Sequence, residues 1–550
     1  EVPGVRVFSG SMLCRPLQVK HRRERGFDEQ EAQRRHDETT RWLLNYLGER
    51  PYWHREFMDE YYFPLAEGET EDEVGLALLA TGNFRYVCPN WGLYPFDCPQ
   101  PTDPLCPDDP FFGDQWNHER IESRAGWQNR KEGHDDVVVT FFDSGIHLED
   151  YSDHPDLSDL SEYRQLGYNS VIPISPTPQP PPGWEDPDSP SSIDMRDQSA
   201  IQGHGIGVVG SAAAVGDNWR GVTGIGWNLR HRMVKIVDPP VGGPATWAGN
   251  VFHGMEVMAE EGDRVFSISW NTSGYLSNEE CDQSTQQLWQ AWEDNSSALK
   301  ESYQLLIFLA GGNANQEYCD TYSSMIMLGG TMLDGGDEYV WPPSSQGPWI
   351  SMMAPAVDIV TTVRPNSMNV ECPGLYCPQT GTSYAAPQAA ALANLIWSMN
   401  PLFTAAQVQA FIENGCEDFA DYDPDLHGGG RINVFNSLAL ASGDLWTRTP
   451  NPGRADESNV LKTAGAASGS TIRFYYGTSI GSTSISGCSL TVDIANATRL
   501  GTATTGSNGS AAIAVSVPAI LAEQTVYLQV VEVGSPCRKS NRVTYEFPAL

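Results

Sequence analysis

The chain has 550 residues, too many for one hydrophobic core, so about two to four domains are expected. With 70 acidic against 34 basic side chains its formal charge is −36 at pH 7, which argues against nucleic-acid binding and against attraction to an anionic membrane surface. At 40% hydrophobic and 19% charged the composition is globular, and the apolar stretches are too short and too interrupted to span a bilayer.

Residues 1–90 carry strand and helix signals in alternation. A strand is expected at 5–13 and a helix at 27–47, with Trp42, Leu43, Leu44, Tyr46 and Leu47 towards its end. A strand-like run at 53–63 precedes a helix at 69–80, which Thr70 opens with an acid three residues on, and a strand follows at 83–87. This order fits a small α+β sandwich of ferredoxin-like type. Residues 91–108, rich in Pro, Cys and Asp, read as an exposed linker, where proteolysis concentrates.

From 109 to 443 apolar strand-like runs (137–142, 233–237, 265–270, 305–309) alternate with helical ones (205–215, 247–260, 282–303). That pattern predicts an α/β fold, a mostly parallel sheet between layers of helices, with its site outside the carboxyl ends of the strands. Residues 174–200, rich in Pro, Ser and Asp, read as an inserted surface loop. Pro450, Asn451, Pro452 and Gly453 mark a linker at 444–457. Residues 458–550 show alternating runs of Thr, Ser and Val between turn residues, the pattern of a β-sandwich.

The 11 cysteines include no Cys-x-x-Cys, so zinc ribbons and thioredoxin-like redox sites are not expected. The short spans from Cys98 to Cys106 and from Cys372 to Cys377 suggest disulfides and an oxidising compartment; Cys488 and Cys537 are candidates to tie the sandwich. The odd count leaves at least one thiol, and Cys416, in a helical stretch, is expected to be it. The numbering opens at Glu1 without a signal-peptide pattern, so a secreted protein whose leader lies outside this numbering is expected.

Four short motifs carry chemistry. Ser383 lies in Gly381-Thr-Ser-Tyr-Ala-Ala-Pro387, just before a long apolar run that reads as a buried helix. A serine there faces unpaired N–H groups and the positive end of a helix dipole, where a nucleophile would meet a developing oxyanion; an N-capping serine is the plain alternative. Asp143 ends a buried strand in Asp-Ser-Gly, as the orienting acid of a triad would, although the same tripeptide is a common turn. His204 sits between Gly203 and Gly205 at the start of a small-residue helix, placed for general-base work or as a loop residue. Asn313 follows Gly311 and Gly312, where a side-chain amide could donate to an oxyanion or simply occupy a left-handed turn.

Together these motifs make residues 109–440 resemble the catalytic domain of a subtilisin-like serine protease. The order Asp…His…Ser is that of subtilisin itself. The Ser383 box is similar to the family's serine box, Asp143-Ser-Gly145 and His154-Pro-Asp-Leu157 to its Asp box and the segment that follows, and Gly-Gly-Arg-Ile-Asn433 to its closing segment. The resemblance implies Ser383 as nucleophile, His204 as base and then acid, Asp143 as the group holding the His tautomer, and Asn313 with the Ser383 N–H as oxyanion hole. It implies substrate contacts along an edge strand at 265–271, through Ser267, Ser269, Trp270 and Asn271, with Gly311 and Gly312 as the opposite wall. It also implies a structural Ca2+ on Asp109, Asp156 and Asn218, with no organic cofactor. Three positions depart from the family: Ile206-Gly207 follows His-Gly where Thr-His is common, Asn271 stands at the pocket rim in place of Gly, and Ala356 follows Pro355 in place of Gly.

Residues 1–90 resemble the family's propeptide, a foldase and intramolecular inhibitor, so self-cleavage between 91 and 108 and a zymogen are implied. The expected protein is thus a secreted, monomeric endopeptidase acting on protein or peptide substrates. A catalytically dead relative that binds extended peptides, and a surface adhesin working through residues 458–550, are the alternatives.

Overall fold

The computed structural model describes residues 8–48, 50–55, 59–66, 68–91, 105–133, 136–148, 154–157, 168–169, 203–236, 248–270, 283–315, 318, 322–364 and 374–549. They form two compact units, Glu1–Pro95 and Phe96–Leu550.

In the first unit β1 (Phe8–Pro16) leads into the helices α1 (Val19–Glu24) and α2 (Glu29–Leu47), then β2 (Trp53–Arg55), β3 (Glu60–Pro64), α3 (Glu71–Ala80) and β4 (Phe84–Trp91). The run expected at 53–63 is divided into two strands, and Asp59, with φ 56°, stands just before the second. The sheet is antiparallel in the order β2-β3-β1-β4, which is the split-βαβ order. Asp28 caps α2 by accepting from the Glu31 N–H at 2.8 Å, and Thr70 with Glu73 forms the expected capping box on α3. Met12, Leu43, Phe63 and Leu78 fill the core between helices and sheet.

In the second unit α4 (Trp116–Arg120) and α5 (Ser123–Trp127) precede β5 (Val139–Asp143), β6 (Tyr168–Asn169), α6 (His204–Ala213), β7 (His231–Lys235), α7 (Ala248–Glu260), β8 (Val265–Ile268), α8 (Gln283–Tyr303), β9 (Leu306–Ala310) and β10 (Ile326–Asp334). Then come β11 (Asp337–Val340), β12 (Met352–Pro355), β13 (Ile359–Thr362), β14 (Tyr376–Gln379), α9 (Ala385–Met399), α10 (Ala405–Gly415) and α11 (Val434–Ser442). The main sheet runs β11-β10-β9-β8-β5-β7-β6, with β12 also on β10, and only β10 and β11 are antiparallel. Its strands are apolar on both faces because both are covered. Phe141 packs towards α6 and α9, whereas its neighbour Phe142 packs towards α7 and α8. This alternation makes the three layers.

One expectation changes here. Residues 265–268 are not an edge strand: β8 pairs with β5 on one side and β9 on the other, so its backbone is already used. Ser267 is fully buried in that interior strand and cannot line a substrate cleft. Ser269 and Trp270 lie past the end of β8 and outside its ladder pairing.

The carboxy-terminal region also differs in detail. α11 ends on Gly443 at φ 71°, but the stretch expected as a linker then supplies the strand Trp446–Thr447, which pairs antiparallel with Ser458–Ala464. Further antiparallel sheets follow, and Cys488 and Cys537 are joined, with Cα atoms 5.7 Å apart. Cys106 and Cys377 are disulfide-bonded; their expected partners, Cys98 and Cys372, lie outside the described residues, as does the insertion at 174–200. The thiol of Cys416 is buried, and that of Cys14 is buried as well.

An ion cluster fastens this region to the α/β part. Glu122 receives the Arg448 guanidinium at 3.1 Å and the Lys462 ammonium at 2.6 Å. Lys462 also meets Glu417, which pairs with Arg431 at 2.9 Å, and Arg431 in turn meets Glu338.

Candidate active site

Asp143 is the last residue of β5 and is fully buried. Its Oδ1 accepts from the Ser144 N–H at 2.8 Å, from the Ser144 hydroxyl at 3.1 Å and from His204 Nδ1 at 2.7 Å. A carboxylate only accepts, so Nδ1 carries the hydrogen and Nε2 of a neutral ring keeps a lone pair. His204 is the first residue of α6, and its N-cap, Gly203, has φ 84°. The helix can come this close only because position 205 has no side chain: a Cβ there would lie 2.2 Å from the Gly145 carbonyl oxygen. The Gly205 N–H donates to the Ser144 hydroxyl at 3.0 Å, so Ser144 latches the strand end to the helix start. Sequence reasoning did not single out Ser144; its place in Asp-Ser-Gly signals a turn, and only the fold reveals its partner.

Ser383 lies in a 3-10 turn, Thr382–Tyr384, leading directly into α9. Its hydroxyl is not used as a helix cap. It donates to the Ser269 carbonyl at 3.1 Å, and the Ser269 hydroxyl donates back to the Ser383 carbonyl at 2.9 Å. The imidazole of His204 is flanked by Trp270, ring centroids 5.3 Å apart, and by Tyr384 at 5.8 Å. These rings are the chain neighbours of Ser269 and Ser383, so serine and imidazole share one cleft. Both are slightly open to solvent, at 7% and 9%, whereas Asp143 is sealed.

Asn313 follows β9 and faces the serine turn. Its Oδ1 accepts from the Thr382 N–H at 2.9 Å and from the Thr382 hydroxyl at 2.8 Å. A backbone N–H can only donate, which fixes the amide: the oxygen points at Thr382 and Nδ2 is turned away, available to an anion. Gly381, at φ 152°, lets the turn pass close by, since a Cβ there would sit 3.3 Å from Nδ2. Gly312 donates to the Thr382 hydroxyl at 3.0 Å, and Gly311 packs on the Leu328 carbonyl, so this wall is tied to the serine loop. Thr382, which orients Asn313, is a second residue the sequence did not announce. Asn271 lies outside the described residues. Of the departures, Ile206 is absorbed into the core beside α9, and Ala356 occupies the space a Cβ on Gly330 would need.

Asp109, Asp156 and Asn218 come together away from this cleft. Asn218 donates its side-chain amide to Asp156 at 2.9 Å and its backbone N–H to Asp109 at 3.3 Å. Burial pushes both carboxyls up, Asp109 to about 6 and Asp156 to about 7, the latter also repelled by Asp109. Among the described residues no group of three His, Cys, Asp or Glu side chains is arranged to hold a metal ion.

Residues 134–431 match the Subtilase family. Thermitase from Thermoactinomyces vulgaris is 25% identical over 335 residues, covering 60% of this chain and 99% of thermitase. A halolysin-like extracellular serine protease, Nep, from Natrialba magadii is 25% identical over 336 residues, covering 60% of this chain and 52% of Nep. Among solved structures, a protease from Pseudoalteromonas arctica PAMC 21717 aligns with a TM-score of 0.43 at 20% identity, covering 61% of this chain and 99% of that one.

Proposed function

Since the chain belongs to the subtilase family of serine endopeptidases, we propose that it hydrolyses peptide bonds through an acyl-enzyme on Ser383. The observation that carries this reading is the buried 2.7 Å bond from His204 Nδ1 to Asp143, in the same cleft as the Ser383 hydroxyl. His204 Nε2 takes the hydroxyl proton as Ser383 attacks the scissile carbonyl, and later returns it to the leaving amine. Asp143 holds the ring in that tautomer and stabilises the imidazolium. The oxyanion meets Asn313 Nδ2 and the Ser383 N–H. The substrate lies extended along Ser269 and Trp270, with Gly311 and Gly312 opposite.

Residues 1–90 act in this reading as a propeptide that inhibits the enzyme until the chain is cut between 91 and 108. Secretion is supported by a relative described as extracellular and by the disulfides. The sandwich braces the catalytic part through the Glu122–Lys462 cluster. A structural Ca2+ would be held by Asp109 and Asp156, whose buried, mutually repelling carboxyls suit a hard cation. Asn218 does not fit as a ligand: its Oδ1 accepts from the Arg220 N–H at 2.8 Å, which holds the amide with Nδ2 towards Asp156. When bound, the ion would neutralise the two acids and tie the 109 and 156 segments together.

The test is intact mass of the wild type beside Ser383→Ala, with fluorophosphonate labelling of both. The proposal expects the wild type to lose a fragment ending between residues 91 and 108 and to label, while the variant stays whole and unlabelled. A wild type that stays whole and unlabelled refutes it. Cleavage of both proteins refutes self-processing.

A further inference from the structure

Behind the glycine wall of the cleft lies a tyrosine that the mechanism above does not use. Tyr318 is 6% exposed, and its hydroxyl donates to the Gly311 carbonyl at 2.6 Å in a buried bond. Its ring is packed edge to face with Trp289 of α8, centroids 4.9 Å apart, and lies 5.7 Å from Trp349. Trp289 is itself fully enclosed. A ring held in this way aims its hydroxyl before any substrate arrives.

The Gly311 carbonyl and the Gly312 N–H are two ends of one trans peptide, so they point in opposite directions. That N–H donates to the Thr382 hydroxyl at 3.0 Å, and the Thr382 hydroxyl donates in turn to Asn313 Oδ1 at 2.8 Å. The direction of each bond is fixed, because a carbonyl only accepts and a backbone N–H only donates. The Thr382 N–H, 2.9 Å from Oδ1, sets the orientation of the Asn313 amide independently. Three hydrogen bonds therefore run in series from Tyr318 to Asn313, joined through a planar peptide and ending on a planar amide. Every donor in the series points towards Asn313.

Such a chain has two effects. Each group that accepts becomes a better donor at its other end, by about 10–30% per bond. The chain also fixes the wall. Gly311 and Gly312 have no side chains to brace them, so hydrogen bonds set the tilt of their shared peptide, and Tyr318 supplies one to its carbonyl.

We propose that Tyr318 is a positioning residue for the oxyanion hole. Its hydroxyl holds the Gly311–Gly312 peptide so that the series through Thr382 presents Asn313 Nδ2 already aimed and polarised to the developing oxyanion. Tyr318 acts through Asn313 and not on the reacting atoms, so its effect requires Asn313 to be the oxyanion donor of the proposed mechanism. A donor of that kind is worth about 10²–10³-fold in rate, and about 10–30% of that effect on a logarithmic scale is about two- to eightfold.

The experiment follows inactivation by a fluorophosphonate probe. Ser383 Oγ bonds to phosphorus, its proton passes to His204, fluoride leaves, and the phosphonyl oxygen occupies the oxyanion hole. Wild type, Tyr318→Phe, Asn313→Ala and the double variant are compared as full chains matched in processing by intact mass. Tyr318→Phe keeps the ring and removes only the hydroxyl. It is expected to lower kinact about two- to eightfold, with KI and the pH midpoint of inactivation unchanged. In the Asn313→Ala background the same substitution is expected to change kinact by no more than about 1.5-fold, because the series then has no amide to act on. Thr382→Val interrupts the series nearer Asn313 and is expected to lower kinact at least as much as Tyr318→Phe, which keeps a test in hand if the phenylalanine variant does not fold. An equal loss from Tyr318→Phe in both backgrounds, a raised KI at unchanged kinact, a shifted pH midpoint, or a Thr382→Val protein as fast as wild type each overturns the proposal and leaves the role of Asn313 standing. An Asn313→Ala protein that reacts as fast as wild type overturns the oxyanion assignment and the proposal with it.

Discussion

Replacing Lys462 with Met tests what holds the carboxy-terminal sheets to the α/β part. The Lys462 side chain is only 7% exposed, and its ammonium lies between Glu122 and Glu417. Burial alone would push the Glu122 carboxyl up; the Lys462 ammonium and the Arg448 guanidinium outweigh it and hold it at about 2, against an ordinary 4.5. Breaking a buried pair by removing one partner costs about 3–5 kcal/mol, and Glu122 keeps Arg448 when Lys462 is replaced, so the lower end of that range applies. Methionine keeps the apolar stem and removes only the charge. Urea unfolding at pH 7, in a Ser383→Ala background that prevents autolysis, is expected to show a loss of about 3 kcal/mol as a lower midpoint at constant slope. The pH dependence follows from the depressed carboxyl. Its contribution is present above about 4.5 and is lost as the pH falls towards about 2, so the difference between the proteins shrinks over that window. A loss under about 1 kcal/mol at pH 7, or one of equal size at pH 7 and pH 3, refutes the reasoning.

Asn313→Ala removes the amide whose oxygen Thr382 holds and whose Nδ2 the proposed mechanism places at the oxyanion. It is expected to lower kcat by about 10²–10³-fold with KM little changed, a magnitude carried over from subtilisin, itself a subtilase. Gly205→Ala puts a methyl 2.2 Å from the Gly145 carbonyl oxygen and forces His204 off Asp143, so kcat/KM is expected to fall by about 100-fold or more. Gly113→Ala, which meets nothing within 4 Å, is the matched control and is expected to leave kcat/KM unchanged. His118 is held neutral by burial, its value pushed down to about 4 against a partial counter-effect from the Thr223 carbonyl. A depressed histidine stabilises above about 6.5 and loses that contribution as the pH falls to about 4. Denaturant titrations are expected to show the wild type losing on the order of 3 kcal/mol more than His118→Gln across that window, and equal losses would refute the assignment. Chelation with EDTA is expected to lower Tm and added Ca2+ to restore it, and Asp156→Asn is expected to lose that response.

Local pattern alone makes much of the molecule legible. The apolar run after Ser383 forms α9, the boundaries of α7, α8 and β9 fall within a residue or so of their sequence signals, and Thr70 with Glu73 forms the capping box. These features depend on residues within one or two turns of each other, where periodicity and capping chemistry act directly. The motifs around Asp143, His204, Asn313 and Ser383 are equally visible, because close approach requires small residues wherever the backbones meet.

Strand order and long-range pairing are not visible in that way. An apolar run reads the same at a sheet edge or in its middle, so Ser267 looks available until β8 is seen between β5 and β9. The Pro- and Asn-marked stretch at 444–457 looks like a linker because a two-residue strand carries no periodicity; its pairing with Ser458–Ala464 makes it part of the carboxy-terminal sheets. Glu122 and Lys462 are 340 positions apart, and nothing near either residue names the other. The sequence by itself thus determined the family and much of the element pattern, and it named the candidate site residues, since each is written in neighbouring residues. Which strand edges stay open, how Thr382 turns the Asn313 amide, and which charges neutralise one another were decided by tertiary structure alone. Those outcomes depend on distances between residues remote in the chain, and such distances exist only once the core has closed.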